Sequence, residues 1–123
     1  MSPLPTPLRG ELWWYDPEPG TIGRELGRKV RPAVILSVDE MNQGPSEKVI
    51  VVPGTSTAHD IASHVRFDYQ FQGRALTTYF CCEDVRSISI LRLRSRMAPK
   101  PIPGRIMAMV ERWVSRLEGI ERA

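Results

Sequence analysis

The feature that most constrains the fold is one amphipathic helix that follows a series of short β-type segments. On residues 104–118 one face is apolar at helical spacing, formed by Ile106, Val110, Trp113, Val114 and Leu117. Pro103 suits the first turn of this helix, and Gly119 ends it. Because a helix with one apolar stripe must bury it against another layer, the sequence predicts a mainly β (β+α) fold. The helix is expected to dock on a small curved sheet or barrel.

Short runs rich in aliphatic, β-branched and aromatic residues predict the strands, at residues 11–15, 32–38, 48–52, 64–67 and 76–82, with residues 85–88 extending the last one beyond a kink. Pro53-Gly54 breaks the third run and indicates a bulge or the close approach of another backbone. Residues 16–30 form a long loop, which is either a solvated flap or a lid over a site. Ser89 is predicted to cap a helical turn at residues 90–93.

The 123-residue chain has the size of a single domain with a core. Residues 1–8 are proline-rich and predict a flexible arm, which leaves residues 9–120 as one domain. No segment is apolar for long enough to cross a bilayer, and there is no N-terminal signal pattern. The sequence therefore predicts a soluble cytoplasmic protein that does not act on membranes.

The cysteines and the charges limit which cofactors and partners the sequence predicts. Cys81 and Cys82 are adjacent, so their side chains point to opposite faces of a strand and predict a buried, reduced pair. No Cys/His cluster has zinc spacing, so neither a metal nor another cofactor is predicted. The net charge of +3 mildly favours a polyanionic partner. Residues 85–110 hold arginines and a lysine but no carboxylate; they form either a phosphate-tracking surface or a solvated face.

The candidate site lies where polar loops meet apolar strands. Arg31 precedes Pro32 and an aliphatic run, so its backbone should be extended and its guanidinium should lie at the rim of a sheet. Thr55, Ser56 and Thr57 form a second polar rim after the third strand. Together the rims predict a site that binds the anionic backbone of RNA. The structural alternatives are a salt bridge for Arg31 and a capping hydroxyl for Thr55.

Motifs along most of the chain resemble one family. They are Arg-Gly-Glu-Leu at 9–12, Gly-Arg-Glu-Leu-Gly at 23–27, Arg-Pro-Ala-Val-Ile-Leu at 31–36, Val-Ile-Val-Val-Pro-Gly-Thr-Ser at 49–56, His-Val at 64–65 and Glu-Asp-Val-Arg-Ser-Ile at 83–88. In this order and spacing, residues 9–118 resemble the MazF/PemK toxins of prokaryotic type II toxin–antitoxin systems. The resemblance implies a small SH3-like antiparallel β-barrel with a C-terminal helix, acting as a homodimer.

The resemblance also implies an activity and a partner. Members of the family are metal-independent, sequence-specific endoribonucleases (mRNA interferases) that cut single-stranded RNA to 2′,3′-cyclic phosphate and 5′-hydroxyl ends. A cognate antitoxin blocks them with a disordered acidic segment. By motif position, Arg31 and Thr55 are the implied catalytic residues.

Further residues are candidates for supporting roles. Arginine is a poor general base because its pKa exceeds about 12, so another group must move the proton. Glu25 and His64 are the candidates, with a loop salt bridge and strand packing as their respective structural alternatives. The predicted RNA-binding residues are Arg24, Arg28, Lys29, Ser56, Thr57 and Arg86. The structural alternatives are bonds to the loop backbone for Ser56 and Thr57 and bracing of the sheet for Arg86.

Two other functions remain open from the sequence. The first is a non-catalytic, protein-binding toxin of the same fold, such as the gyrase poison CcdB. That relative depends on a C-terminal Trp-Gly-Ile ending, whereas here Glu118 precedes Gly119-Ile120 and further residues follow. The second is an SH3-like RNA-binding or peptide-binding module without activity.

Overall fold

An antiparallel sheet and a C-terminal helix make up the computed structural model, which describes residues 5–17 and 30–120. The strands are β1 (Leu12–Tyr15), β2 (Arg31–Ile35), β3 (Lys48–Thr55), β4 (His64–Phe71), β5 (Arg74–Cys81), β6 (Arg86–Ser89) and β7 (Leu93–Arg96). The helices are α1 (Asp39–Asn42) and α2 (Gly104–Leu117), with 3-10 turns at Cys82–Asp84 and Ile90–Arg92.

The strand order in the sheet is β4-β5-β3-β2-β1-β7, with β6 also paired to β3. The first half of β3 pairs with β6, and its last two residues, Gly54 and Thr55, pair with β5. Among the described strands this path is open and does not close into a hydrogen-bonded barrel. The predicted class, mainly antiparallel β with a C-terminal helix, is confirmed.

Both faces of the curved sheet are covered, because alternate residues of each strand point to opposite faces. One face, here called the helix face, packs under α2 and includes Leu12, Val34, Val52, Val65, Phe80, Cys82, Ile106, Val110 and Val114. The other face, here called the site face, is lined by Trp13, Tyr15, Ala33, Ile35, Val49, Val51, Ile88 and Leu93. The ends of the strands on the site face carry the polar groups described below.

The helix prediction is confirmed within one residue at its end. Ile106, Val110 and Val114 are buried, and Trp113 packs partly buried against the same cluster. Leu117, which was predicted to continue the stripe, is the last residue of α2 and is 48% exposed instead. Ser89 caps the 3-10 turn that follows β6, as predicted, by accepting a hydrogen bond from the Leu91 amide at 3.2 Å.

Several strand boundaries differ from the sequence prediction. β3 runs through Pro53 and Gly54 rather than ending before them, because the two residues pair with β2 and β5. The expected close approach does occur at Gly54, where a Cβ would collide with the Cγ2 of Thr78. The β4–β5 hairpin is longer than predicted, and β7 was not predicted as a strand.

The cysteines and the predicted arm are partly accounted for. Cys81 and Cys82 are both free and buried, as predicted, and lie on opposite faces of the sheet. Residues 1–4 of the arm lie outside the described residues. Pro7 is buried, and the Leu8 amide donates to Oε1 of Glu11 at 2.9 Å. The division into arm and domain stays a prediction.

Candidate active site at the strand ends

Arg31 is the first residue of β2 and is exposed. It lies directly opposite Tyr15 on β1, so the two side chains share one face of the sheet. Pro32 follows and has no amide hydrogen to donate, and the residue before a proline favours an extended backbone. The guanidinium therefore projects from the end of a strand, as the sequence predicted.

Thr55 is the last residue of β3 and is half-buried. Its Oγ1 accepts a hydrogen bond from the Thr57 amide at 3.2 Å, which holds the hydroxyl in place at the strand end. A threonine hydroxyl has one donor and two acceptor sites, so this bond leaves its own hydrogen available to another acceptor. The predicted capping role and a donor role are therefore compatible.

Strand register brings these two residues together. Ala33 is opposite Pro53 on the neighbouring strand. Arg31 lies two residues before Ala33 and Thr55 two residues after Pro53, so both stand at this end of the β2–β3 pair and on the same face as Ala33. The two rims that the sequence placed side by side thus lie at the same end of adjacent strands.

Arg86 adds a second cation to this neighbourhood. It begins β6 opposite Val51, on the site face, and its Nε donates to the Asp84 carbonyl at 3.3 Å. Burial raises the pKa of the Cys81 thiol to about 11, with Glu83 and Asp84 adding to the shift, while Arg31 and Arg86 oppose it. The two arginines therefore act on the same buried thiol, so they converge on one region.

The pKa of Tyr15 on β1 also indicates that these arginines lie close together. Burial raises the pKa of its phenol, and the positive charges of Arg86, Arg92 and Arg31, in that order, oppose the rise. A side chain that is only 1% exposed beneath these guanidiniums forms the apolar floor of the site. Electrostatic interactions above such a floor are stronger than in bulk water.

His64 is joined to a carboxylate. Its Nε2 lies 2.7 Å from Oε2 of Glu83, and its side chain is only 6% exposed, against 39% for Glu83. Ser63 donates to the other oxygen of Glu83 at 2.7 Å. Burial alone would raise the pKa of Glu83, but the bonds from Ser63 and His64 outweigh it, so the pKa lies below its usual range. The exposed end of this pair is the carboxylate, and the imidazole lies behind it.

One group of side chains has metal-binding chemistry. Potential ligand atoms of His64, Cys81 and Glu83 lie within 4.8 Å of one another, because His64 is opposite Cys81 in the β4–β5 ladder. Imidazole, thiolate and carboxylate are all ligands for Zn²⁺. The His64–Glu83 bond and the protonated thiol would both have to be given up for a metal to bind. The sequence did not predict this group, because His64 on β4 meets Cys81 and Glu83 only through the β4–β5 ladder.

The remaining predicted site residues have different outcomes. Ser56 and Thr57 are exposed directly after β3, on the same rim as Thr55. Glu25, Arg24, Arg28 and Lys29 lie outside the described residues.

Three arginines of the predicted basic surface are engaged with the ends of β1. Arg94 bonds the Asp16 carboxylate at 2.9 Å, and Arg96 bonds buried Glu11 at 3.1 Å. Arg92 donates to the carbonyls of Asp16 and Pro17. These bonds join β7 and the turn before it to the residues at the two ends of β1. Whether this segment also contacts phosphate stays a prediction.

Sequence reasoning missed three side chains on the site face. Glu83 is the exposed partner of His64, while Tyr79 and Arg66 lie opposite each other on β5 and β4. Glu83 stands in the Glu-Asp-Val-Arg motif at 83–86, which was a usable signal. Nothing local marks Tyr79 and Arg66, because their placement depends on the register of the hairpin.

Comparisons with known proteins agree with this architecture. The family model described as "PemK-like, MazF-like toxin of type II toxin-antitoxin system" matches residues 8–117. No curated protein sequence matches the chain. Among the described helices, α2 included, none has the length and apolar character needed to span a membrane.

Solved structures share the fold across nearly their whole length. MazF from Deinococcus radiodurans has a TM-score of 0.75 at 22% identity, covering 94% of this chain and 98% of its own. A mycobacterial endoribonuclease in complex with its cognate antitoxin has a TM-score of 0.72 at 18% identity, covering 95% and 99%. The Mycobacterium tuberculosis toxin MazF-mt6 has a TM-score of 0.71 at 15% identity, covering 91% and 99%. At these identities the likeness establishes the fold, and the family match over residues 8–117 establishes more: this chain belongs to the PemK-like, MazF-like toxins of type II toxin–antitoxin systems.

Proposed function

We propose that this protein is a metal-independent endoribonuclease that cleaves single-stranded RNA at specific sequences. The observation that carries the proposal is that exposed Arg31 begins β2 and Thr55 ends β3 at the same end of this antiparallel pair of strands. Membership of the toxin family supports it, as does the fold that the chain shares with a mycobacterial endoribonuclease.

RNA supplies its own nucleophile in this reaction. The ribose 2′-oxygen attacks the adjacent phosphorus, the bond to the 5′-oxygen breaks, and the products carry a 2′,3′-cyclic phosphate and a 5′-hydroxyl. Negative charge accumulates on the non-bridging oxygens as the new bond forms. Arg31 has the fixed charge and forked donors to stabilise those oxygens, and the Thr55 hydroxyl adds a neutral donor held by the Thr57 amide.

We assign the transfer of the 2′-proton to the His64–Glu83 pair. Glu83 is the half-exposed member and, because its pKa is lowered, it is ionised at neutral pH. His64 is a positioning residue, since its ring is buried and holds the carboxylate from behind at 2.7 Å. Glu25, the other predicted candidate, lies outside the described residues.

The decisive experiment compares purified variants on single-stranded RNA in the presence of a chelator. We expect Arg31→Ala to lower kcat by about 100-fold or more, the range for removing one charge-stabilising donor. Thr55→Ala should lower it by about 10-fold, as for one lost hydrogen bond in the transition state. Arg74→Ala removes the same charge from the opposite face of the β4–β5 hairpin and should cleave like wild type. Equal cleavage by wild type and Arg31→Ala would reject the site.

The proton-transfer assignment has its own readout. Glu83→Gln keeps the shape and hydrogen-bonding capacity of the side chain but removes its basicity. It should lower kcat by about 100-fold and flatten the acidic limb of the pH–rate profile. An unchanged pH profile in Glu83→Gln would assign the proton to another group while leaving the Arg31–Thr55 proposal intact.

We further propose a cytoplasmic homodimer that is inhibited by an antitoxin with a disordered acidic segment. The exposed cations Arg31 and Arg86 would attract carboxylates as they attract phosphates. The structural neighbours from Deinococcus radiodurans include MazE–MazF complexes, which supports an antitoxin partner. Light scattering tests the dimer, and competition between RNA and an acidic peptide tests the shared site. A wild-type protein that captures DNA gyrase and cuts no RNA would favour the protein-binding alternative.

A further inference from the structure

Three side chains form a row across neighbouring strands on the site face, here called the cross-strand row: Thr55, Tyr79 and Arg66. Thr55 is opposite Tyr79 in the β3–β5 ladder, and Tyr79 is opposite Arg66 in the β4–β5 ladder. Directly opposite residues point to the same face. Two interstrand steps of ~4.8 Å place Thr55 and Arg66 about 10 Å apart, roughly three times the 3.4 Å rise of one stacked nucleotide.

Tyr79 has an aromatic ring without an assigned structural task. It is half-buried, whereas its strand neighbours Thr78 and Phe80 point to the helix face and are buried. Within residues 5–17 and 30–120, no aromatic ring stacks on Tyr79, and its hydroxyl has no hydrogen-bond partner. Tyr69, which is partly buried on the helix face, instead pairs its hydroxyl with Oγ1 of Thr78 at 3.1 Å.

Arg66 is held in position but keeps donors free. Its Nε bonds Oδ1 of Asp68 at 3.2 Å, and Thr77 donates to the same oxygen at 2.6 Å. These two bonds, with that from Thr77 the stronger, lower the pKa of Asp68. The guanidinium is 63% exposed, and its two terminal nitrogens have no partner among the residues that the structure describes. An exposed ion pair of this kind adds little stability, so its effect is to orient the free donors.

We propose that Tyr79 and Arg66 form a second nucleotide subsite next to the Arg31–Thr55 pair, in which Tyr79 stacks on a base and Arg66 binds a phosphate of the same RNA strand. The inference rests on the proposed function for the identity of the ligand, single-stranded RNA. An aromatic platform beside a cation is the arrangement that binds unpaired nucleotides, because every base offers a π-face and every link a phosphate. The subsite extends the bound strand from β2 across to β4.

The test measures binding without cleavage. A short, randomised single-stranded RNA with 2′-O-methyl groups lacks the nucleophile, and fluorescence anisotropy gives its Kd. Tyr79→Leu should weaken binding about 10-fold, the scale of one lost base–aromatic stack, while Tyr79→Phe should stay within about 2-fold of wild type. Arg66→Gln should weaken binding and lower the salt slope by about one phosphate contact. Arg74→Gln, on the opposite face of the same hairpin, is the matched control and should bind like wild type.

The outcomes separate this inference from the proposed function. If wild type cleaves RNA and Tyr79→Leu binds as tightly as wild type with an unchanged melting temperature, the subsite is wrong and the nuclease stands. If wild type cleaves no RNA yet loses binding on Tyr79→Leu but not on Tyr79→Phe, the subsite stands and the nuclease fails. If wild type does not bind the methylated RNA, or if Arg66→Gln and Arg74→Gln weaken binding equally, the subsite is rejected.

Discussion

Gly54 is the position where a single methyl group should have the largest consequence for both stability and the site. A Cβ there would collide with the Cγ2 of Thr78, and would lie at 3.5 Å from Pro32 and 3.6 Å from Phe80, which are ordinary contacts. The backbone of Gly54 is not in the left-handed region, so alanine costs nothing through its own dihedral angles. The effect of Gly54→Ala is therefore steric and comes from Thr78.

The magnitude follows from the packing. Thr78 is 2% exposed and its Oγ1 is bonded to Tyr69, so its methyl cannot swing aside without losing that bond. Overpacking of this kind typically costs about 1–3 kcal/mol, and we expect Gly54→Ala to lower the free energy of unfolding by about 2 kcal/mol. Thr78→Ser removes the offending methyl but keeps the hydroxyl, and should cost about 1 kcal/mol for the lost buried group.

The double variant tests the cause. With Thr78→Ser present, the methyl of Gly54→Ala can occupy the vacated space, so the double variant should be about 1–2 kcal/mol more stable than the sum of the single effects. Urea unfolding of the four proteins in the cycle measures this coupling. Gly104→Ala is the control, since nothing lies within 4 Å of a Cβ there and it begins α2. It should stabilise by about 0.5 kcal/mol. Additive effects of Gly54→Ala and Thr78→Ser would refute the steric reasoning.

Two further predictions concern the core. Val110→Ala should lower the free energy of unfolding by about 2–3 kcal/mol, because Val110 is fully buried on the face of α2 that packs against the sheet. Met109→Ala, at a half-exposed position one residue earlier, should change it by less than about 0.5 kcal/mol, and urea unfolding measures both. Burial raises the pKa of the Cys82 thiol to about 12, so the folded state keeps it protonated while the unfolded chain ionises above pH ~8.5. The contribution of the buried thiol to stability is complete below pH ~8.5 and is lost as the pH rises towards 12. The stability advantage of wild type over Cys82→Ala should therefore shrink by roughly 1–2 kcal/mol between pH 8 and pH 10. An advantage that does not change with pH would contradict this prediction.

Local patterns were sufficient for the parts of the fold that depend on neighbouring residues. The α2 stripe could be predicted because Ile106, Val110 and Val114 recur at helical spacing and bury together. The place of Arg31 at a strand end could be predicted because proline constrains the residue before it. Thr55 could be placed at the end of its strand because it follows Pro53-Gly54, although β3 runs through that pair instead of ending before it.

Long-range register explains what the sequence did not show. β7 carries only one buried residue, Leu93, in Leu-Arg-Ser-Arg, so its pattern resembles a loop. It is a strand because it pairs with β1 and because Arg94 and Arg96 reach carboxylates at both ends of that strand. Tyr79 likewise joins the cross-strand row only through two ladders. No periodicity within a segment encodes which residue of a distant strand will lie opposite.

Alternate residues of β3 and β5 point to opposite faces of the sheet. Packing on the helix face therefore fixes the distance between two strands whose other face carries the candidate active site. Gly54 and Thr78 point inward and fix how closely β3 approaches β5, while Thr55 and Tyr79 point outward from adjacent positions. Gly54→Ala should therefore reduce RNA cleavage together with stability, and in the Thr78→Ser background it should reduce both much less. Arg31→Ala should lower cleavage by about 100-fold or more without lowering the free energy of unfolding, because its exposed guanidinium supports no packing, and Thr78→Ser should not restore cleavage. A parallel loss of stability in Arg31→Ala would mean that this residue holds the fold together and does not act on RNA.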